Sequence, residues 1–368
     1  MSSKTRVLMI VTNLQIANGV TSFAMNYYRK LDHDKVHVDF LVFQSCESPY
    51  VDELLSNGSQ IFVLPPITNI TKHFQECKRI IETGNYDIVH DNTLIISLPI
   101  MMCAKKANVR VRILHSHTAG FGDTLYKKYR NKTIYPLLRA QATDYAACSQ
   151  KAGGAFKKRN FTIIHNVIDE ESNKFNASVR QEVRERMQVV DKHVITTVAR
   201  VSPEKNPYFA VDVIECLLAT HPNTQYWWIG QGTENDELAE YVEKKGLSEH
   251  ILLLGNRIDV KDFYQAADCF FLPSIFEGLP LTGVEAQAFG LPCVISDVVT
   301  EELVYTDLIK YVSLREPMEA WAQYLSKQMQ RQVDRASYGE LLSQSVFSGN
   351  NAGKTLFSYY QSLLSKNS

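Results

Sequence analysis

The stretch FEGLPLTGVEAQAFGLPCVISD contains two glutamates, Glu277 and Glu285, with seven residues between them. Glu277 falls in a Gly-Pro-rich turn, and we expect Glu285 in the first turn of the helix that follows. Backbone N–H groups at such a turn and helix start favour anions. The loop could therefore hold a phosphate while the carboxylates hold sugar hydroxyls. Alternatively, Glu285 only complements the helix dipole and Glu277 is a solvated turn residue.

A pair of cations precedes this stretch in VARVSPEKNPYFAVDVI, where Arg200 follows a predicted strand and Lys205 precedes a predicted helix. Arginine offers a planar fork and lysine a mobile point charge, a combination that suits the neutralisation of a diphosphate leaving group. The plainer interpretation is that both are surface cations at a strand end.

Two histidines alternate in LHSHT, which places His115 and His117 on the same face of a strand. An H-x-H pair can bind a metal, but the sequence offers no third ligand with metal-like spacing nearby, so we expect no metal site. The other interpretation is a pair of strand-end histidines satisfied by the backbone. YDIVHDN adds His90 at the end of another predicted strand.

These residues follow short apolar, β-branched runs that alternate with amphipathic stretches of helix length, a pattern that predicts parallel strands joined by crossover helices. The predicted strands of the first half are RVLMIVTN, VHVDFLVF, QIFVLPP, YDIVHDN, VRVRILHSH, DYAACS and FTIIHN. Those of the second half are VITTVARV, TQYWWIGQG, HILLLGN, CFFLPS, PCVISD and IKYVSL.

A polar, charged break separates the two halves, and we place a linker near residues 168–180. We therefore predict the α/β class, with two doubly wound parallel-sheet domains at residues 1–172 and 173–350. A final helix at about 351–366 is expected to pack back on the first domain. Because open parallel sheets bind ligands beyond the carboxyl ends of their strands, we expect two such edges to face each other across a cleft.

The composition is that of a soluble globular protein, with 368 residues, 45% hydrophobic residues and a net charge of −1. This charge argues against bulk nucleic-acid binding. The seven cysteines are scattered without a C-x-x-C pair, which indicates reduced thiols. The sequence has no apolar run long enough for a signal-peptide core or a membrane span. We expect a cytoplasmic protein.

Residues 105–159 form a basic tract with 13 cations against two anions, Asp123 and Asp144. Aromatic residues lie between these charges in GFGDTLYKKYRNKTIYPLLRAQ. This composition is typical of a surface that binds anionic lipid headgroups, which would place the protein at the inner face of the cell membrane. An ordinary solvated helix face has the same composition, so both interpretations stay open.

Three segments in this order, ARVSPEKNPYFAV, WWIGQGTENDEL and FEGLPLTGVEAQAFGLPCVISD, resemble the retaining glycosyltransferases of family 4. The likeness covers nearly the whole chain and is strongest in residues 194–303. RILHSHTAG, AACSQKAGGAF and IIHNVID are similar to the N-terminal pattern of bacterial members that build capsule, exopolysaccharide or similar surface glycans. The resemblance implies the GT-B fold, in which a Rossmann-like N-terminal domain binds the acceptor and a Rossmann-like C-terminal domain binds the nucleotide sugar.

Carried over by position, the resemblance implies that Arg200 and Lys205 hold the donor diphosphate, Glu277 the transferred sugar and Glu285 the ribose of the nucleotide. A loop of five residues would add backbone donors: Gly278, Leu279, Pro280, Leu281 and Thr282. Three further residues would line the nucleotide, with the third near the base: Gly230, Gly232 and Arg257.

In the first domain, the resemblance points to His117, rather than His115, beside the reacting face of the sugar, and to Gly19 beside the phosphates. Family members often carry a Gly-Gly pair there, whereas this chain has Asn18-Gly19, so close backbone approach is kept at only one position. Gly19 could instead be a glycine that simply starts a helix.

The implied reaction moves a sugar from a nucleotide diphosphate, with UDP as the expected nucleotide, to a hydroxyl of a glycan or lipid-linked acceptor, and it retains the anomeric configuration. We expect no cofactor and no required metal, because the two cations would take the place of a metal. No nucleic-acid partner is expected. Two alternatives remain open: a nucleotide-sugar epimerase of related fold, and a non-catalytic partner subunit that binds a nucleotide sugar.

Overall fold

The computed structural model describes residues 4–16, 18–117, 125–156 and 159–367, without the side chains of residues 125–128. The chain divides into two compact units. Unit 1 combines Met1–Val167 with Gly349–Ser368, and unit 2 is Ile168–Ser348. The first crossing between the units thus lies a few residues before the boundary at 172 that the sequence suggested.

Unit 1 is built on a seven-stranded sheet in the order β3-β2-β1-β4-β5-β6-β7, and every strand pair is parallel. Its strands are β1 Thr5–Val11, β2 Val36–Val42, β3 Ile61–Val63, β4 Ile88–Asp91, β5 Val111–Ser116, β6 Asp144–Ala147 and β7 Thr162–Ile163. Its helices are α1 Gly19–Tyr28, α2 Pro49–Ser56, α3 Ile70–Gly84, α4 Leu98–Lys106, α5 Leu125–Arg139, α6 Gln150–Gly153 and α14 Ala352–Lys366.

Unit 2 is built on a six-stranded sheet in the order β10-β9-β8-β11-β12-β13, again with parallel pairs. Its strands are β8 His193–Val198, β9 Thr224–Ile229, β10 Ile251–Leu253, β11 Cys269–Leu272, β12 Cys293–Ser296 and β13 Ile309–Val312. Its helices are α7 Ala177–Arg186, α8 Pro207–Leu218, α9 Asn235–Lys244, α10 Val260–Ala266, α11 Leu281–Ala288, α12 Met318–Met329 and α13 Tyr338–Gln344.

Each unit has its own apolar core. In unit 1 the last helix, α14, contributes Leu356 and Tyr360 to the same buried cluster as strands β1 and β2. This helix approaches the end of α1 so closely that a Cβ on Gly353 would lie 1.7 Å from the carbonyl oxygen of Lys30. The core of unit 2 contains Trp228 and Trp321, both without exposed surface.

The predicted α/β class with two doubly wound parallel sheets is confirmed, and each predicted strand segment contains a strand. In unit 1 the chain winds from β1 outward to β3 and then returns to β4 on the other side of β1. In unit 2 it winds from β8 outward to β10 and returns to β11. Such reversals create a crevice at the carboxyl ends of the two central strands, where open α/β sheets bind ligands.

Candidate functional site

Two loops meet at the reversal point of unit 2, and they carry the two motifs whose residues could bind a ligand or take part in a reaction. The loop after β8 contains Arg200 and Lys205, and the loop after β11 contains Glu277. The backbone N–H of Ile275 donates to the carbonyl of Glu204 over 2.9 Å, so the loops are joined directly. Strands β8 and β11 are neighbours in the sheet, which explains why segments about 70 residues apart in the chain come together.

Lys205 and Glu277 form an ion pair at this point. Lys205 Nζ donates to Glu277 Oε1, and the hydroxyl of Ser274 donates to the same oxygen over 3.0 Å. The side chains of Lys205 and Glu277 are only 16% and 8% exposed. Their charges are therefore weakly screened by solvent, so a ligand phosphate or hydroxyl placed beside them would interact strongly.

Arg200 lies apart from this pair. Its side chain is 64% exposed, and its guanidinium pairs with Glu204 Oε1 at 2.9 Å. Among the described residues, the side chain of Arg200 pairs with Glu204 alone, so the structure does not join it to Lys205 or Glu277. An exposed pair of this kind is worth about 1 kcal/mol or less, so Arg200 can turn toward an anionic ligand at small cost.

The sequence predicts Glu285 in the first turn of a helix, but the structure places it further along the helix. Helix α11 begins at Leu281 with Pro280 as its N-cap, so Glu285 is its fifth residue. Glu285 Oε2 accepts a hydrogen bond from the hydroxyl of Tyr264 at 3.1 Å. Burial raises the pKa of Glu285, while the charge of Lys261 and the Tyr264 hydrogen bond act in the opposite direction. The two acids thus have different partners and are not joined to each other.

The loop Gly278–Thr282 supplies the start of α11 instead. Pro280, the N-cap residue, makes no side-chain hydrogen bond to the first turn, because proline has no side-chain acceptor. Leu279 and Pro280 are buried, whereas Gly278, Leu281 and Thr282 keep part of their surface exposed. The backbone N–H groups of Leu281 and Thr282 at the start of α11 therefore receive no side-chain cap at the reversal point, where an anion is favoured.

Gly230 and Gly232 follow β9 and lie directly against the loop after β8. A Cβ on Gly230, whose φ is +132°, would lie 2.2 Å from the carbonyl oxygen of Ala199, and one on Gly232 would lie 2.0 Å from that of Val201. These positions need glycine because two backbones come into contact there. Arg257 is held by its own segment, with a bidentate ion pair to Asp259 at 2.7 Å for both contacts.

Two polar residues that the sequence analysis missed lie beside these glycines. The Ser202 hydroxyl and Glu234 Oε2 are buried and have no hydrogen-bond partner among the described residues. Glu234 follows the glycines closely, and its backbone N–H donates to Val201 at 3.2 Å. Burial raises the pKa of Glu234, and the charge of Glu237 adds to the shift. Because both lie beside the glycines after β9, we count these two as further polar candidates at the site. In the sequence, Ser202 is marked only by its position before Pro203, and Glu234 only by its position at the end of the segment GQGTE.

In unit 1, Asn18 caps α1, since its side chain accepts from the backbone N–H groups of Val20 at 3.0 Å and Thr21 at 3.3 Å. Gly19 is the first residue of α1, and apart from its chain neighbours and its own helix no described atom lies within 4 Å of the position that a Cβ would take. The local geometry fits both a helix-start glycine and a residue approached by a ligand.

The three candidate histidines of unit 1 form one cluster. His90 Nε2 and His115 Nδ1 are 3.0 Å apart, and the rings of His115 and His117 stack with centroids 4.1 Å apart. His117 Nε2 lies 2.9 Å from Asn92 Oδ1. Burial lowers the pKa of His90 and of His117 to about 3 and lowers that of His115 as well. All three are therefore neutral near pH 7. Within the described ranges, no group of three or more His, Cys, Asp or Glu residues could hold a metal ion.

The basic tract is partly used by the fold. Lys105 donates to the carbonyl of Ala140, and Arg110 pairs with Asp87. Arg130 and Lys132 on α5 are exposed, as is Tyr129 at 71%. Several members of the tract lie outside the described residues or have undescribed side chains: Phe121, Asp123, Tyr126, Lys127, Lys128, Lys157 and Lys158. Among the described helices, none is both long and apolar enough to cross a membrane.

Residues 179–340 match the family model described as glycosyl transferases group 1. The chain is 31% identical over 339 residues to the glycosyltransferase EpsF of Bacillus subtilis, covering 89% of this chain and 88% of that protein. It is 25% identical to the UDP-Gal:alpha-D-GlcNAc-diphosphoundecaprenol alpha-1,3-galactosyltransferase of Escherichia coli, over 77% of this chain and 78% of that enzyme.

A solved structure of Anabaena HepE in complex with UDP superposes with a TM-score of 0.78 at 19% identity, covering 98% of this chain and all of that one. HepE has also been solved with UDP-glucose, with a TM-score of 0.75. The model match falls on the unit that carries the paired loops, and the likeness to EpsF spans both units. The chain therefore belongs to the glycosyl transferases group 1 family and is a glycosyltransferase with the GT-B fold.

Proposed function

We propose that this glycosyltransferase moves a sugar from a UDP-sugar to a hydroxyl of a glycan or lipid-linked acceptor, with retention of anomeric configuration, in the synthesis of a surface polysaccharide. The observation that carries the proposal is the buried Lys205–Glu277 pair beside the uncapped start of α11. The UDP and UDP-glucose complexes of HepE support the choice of nucleotide. The named substrate of the Escherichia coli relative, a diphosphoundecaprenol-linked sugar, supports a lipid-linked acceptor.

The donor would be read in parts. Lys205 and the N–H groups of Leu281 and Thr282 would bind the diphosphate, and Arg200 would swing from Glu204 to join them. Glu277 would accept hydrogen bonds from the transferred sugar, and Glu285 from the ribose. Carboxylates suit hydroxyl donors because charge-assisted hydrogen bonds are stronger than neutral ones.

The reaction would proceed on the face of the sugar that the diphosphate leaves. The bond from the anomeric carbon to the phosphate oxygen breaks, the acceptor oxygen bonds to the same face of that carbon, and the acceptor proton passes to the departing phosphate oxygen. Negative charge grows on the diphosphate as the bond breaks, so Lys205 and the backbone donors stabilise the transition state more than the bound donor. A cation and backbone donors in these places would make a metal unnecessary.

Unit 1 would bind the acceptor. Its neutral histidines cannot act as cations near pH 7, so His117 would serve through hydrogen bonding and packing rather than as an acid.

If the acceptor is lipid-linked, the exposed Arg130, Lys132 and Tyr129 of α5 would contact anionic headgroups at the cytoplasmic face of a membrane. Co-sedimentation with anionic vesicles should fall when Arg130 and Lys132 are both changed to glutamate, and the same reversal at the exposed Lys78 on α3 is the control.

The test of the proposed function is product analysis with a panel of UDP-sugars. With acceptor present, we expect a new glycosidic bond whose anomeric configuration, read by NMR, equals that of the donor. Conversion of the donor sugar without any acceptor would instead identify an epimerase. Tight donor binding without turnover across a broad acceptor panel would identify a non-catalytic binding subunit.

A further inference from the structure

A buried chain of hydrogen bonds connects the last helix of unit 1 to the histidine cluster. The hydroxyl of Tyr360 on α14 lies 2.8 Å from His90 Nδ1, and His90 Nε2 lies 3.0 Å from His115 Nδ1. All three side chains have no exposed surface. His115 in turn stacks on His117 at 4.1 Å. Tyr360 and His90 are 270 positions apart in the chain.

The hydrogen bonds between Tyr360, His90 and His115 can be oriented in two directions, because a neutral imidazole carries one N–H and one bare nitrogen. In the first, Tyr360 donates to His90 Nδ1, His90 Nε2–H donates to His115 Nδ1, and His115 carries its proton on Nε2. In the second, both histidines carry the proton on Nδ1, and His90 donates to the Tyr360 oxygen.

The two directions differ in how many buried groups they leave unpaired. His115 Nε2 has no partner among the described residues, so it is unsatisfied either way. In the second direction the Tyr360 proton is unpaired as well, since its only described hydrogen-bond partner is His90. Each unpaired buried polar group costs about 1–3 kcal/mol. The first direction, with Nε2–H on both His90 and His115, is therefore favoured.

The neighbouring ring has its own fixed tautomer. Asn92 Nδ2 donates to the carbonyl of Ile10 at 3.2 Å, so its Oδ1 faces His117 Nε2 as an acceptor. The Asn92 contact therefore favours a proton on His117 Nε2 and a bare Nδ1, which makes no hydrogen bond within the described residues, although the side chain of Asn166 also acts on this imidazole and opposes the fall of its pKa. In the favoured direction the stacked His115 presents an N–H next to a ring with a bare nitrogen, whereas in the other direction two bare nitrogens would be placed in neighbouring rings.

We propose that Tyr360 is a positioning residue: its hydroxyl fixes the Nε2–H tautomers of His90 and His115, and through the stacked pair it holds the ring of His117 for sugar transfer. The last part rests on the proposed function, in which unit 1 binds the acceptor and His117 acts there through hydrogen bonding and packing. Burial supports the arrangement by keeping the imidazoles neutral, because protonation would destroy the donor–acceptor order of the chain.

The test is the 15N NMR spectrum of the imidazoles in the full-length protein, which distinguishes a protonated ring nitrogen from a bare one. We expect Nε2–H on His90, His115 and His117 in the wild type. In Tyr360→Phe, both directions leave one donor and one acceptor unpaired, so His90 and His115 should populate both tautomers. Tyr359→Phe is the matched control, because it removes the neighbouring hydroxyl on α14, for which no histidine partner is described.

The wild-type spectrum needs no variant to fold and no substrate, so it decides the tautomer assignment alone. Nδ1–H on His90 or His115, or spectra that Tyr360→Phe leaves unchanged, would overturn the proposal. In the transfer assay, Tyr360→Phe should lower kcat about fivefold, the equivalent of one neutral hydrogen bond, with an unchanged KM for the donor. An altered spectrum with an unchanged kcat would refute the positioning role. Failure of the wild type to transfer any sugar would refute the proposed function but not the tautomers.

Discussion

Substitutions at the Lys205–Glu277 pair should separate the stability of unit 2 from its chemistry. Lys205→Met removes the cation and leaves the Glu277 carboxylate, which is 8% exposed, with the Ser274 hydroxyl as its described donor. Glu277→Gln removes the anion and leaves an ammonium that is 16% exposed. Removal of one partner of a buried pair costs about 3–5 kcal/mol, and we expect about 3 kcal/mol for each variant because some solvent reaches both groups.

The double variant removes both charges together, so no buried charge is left uncompensated. Its loss of free energy of unfolding should be smaller than the summed losses of the two single variants by at least about 2 kcal/mol. Its turnover should not recover, because the cation that stabilises the leaving diphosphate is still missing. We expect Lys205→Met to lower kcat about a hundredfold or more, alone or in the double variant.

The assay for stability is urea unfolding followed by tryptophan fluorescence. All three tryptophans of the chain, Trp227, Trp228 and Trp321, lie in unit 2 and have no exposed surface. Their signal therefore reports the unfolding of unit 2 without a contribution from unit 1. Strictly additive free energies of unfolding in the double-mutant cycle, or near wild-type kcat in Lys205→Met, would refute the reasoning.

Three further outcomes are expected. The free energy of unfolding should fall as the pH drops from about 6.5 to 3, by up to about 1.4 kcal/mol per pH unit for each histidine whose folded pKa is depressed, as for His90 and His117 at about 3. Asp91, whose pKa burial raises to about 6, offsets the effect of one histidine as it takes up its proton. Equal stability at pH 7 and pH 4 would contradict this expectation. Gly230→Ala should destabilise unit 2 by about 1–3 kcal/mol, whereas Gly19→Ala should not destabilise the fold, as urea unfolding can test. Transfer activity should survive EDTA, and loss of activity restored by Mg²⁺ would show that a metal is required.

The strands could be predicted because their signal is local. Parallel strands buried on both faces are apolar along their whole length, and β9, TQYWWI, is buried at every position. The start of α11 was placed wrongly because GLPLTG has the composition of a turn. Gly283 nevertheless lies inside the helix. A Cβ added there would lie 3.2 Å from the side chain of Leu303 and 3.6 Å from that of Ile295. Tertiary packing there outweighs the low helix propensity of glycine.

The contacts within the candidate site could not be predicted because they join distant segments. The resemblance implies Lys205 at the diphosphate and Glu277 at the sugar, but nothing in their spacing indicates that the two bind each other. Arg200 was grouped with Lys205 by proximity in the chain, whereas the structure pairs it with Glu204 at the surface. The return of the last helix to unit 1 is expected from the sequence, but no local pattern of charges or apolar residues indicates that Tyr360 meets His90 there.

Calorimetric titration of UDP tests most directly whether the paired loops of unit 2 form a nucleotide-sugar site. We expect wild-type protein to bind UDP at one site, and Lys205→Met and Glu285→Gln each to weaken binding about tenfold or more, since each removes a charge-assisted hydrogen bond to the ligand. Glu340→Gln, at an exposed acid on α13, should bind like the wild type. UDP affinity that none of these substitutions changes would contradict the account.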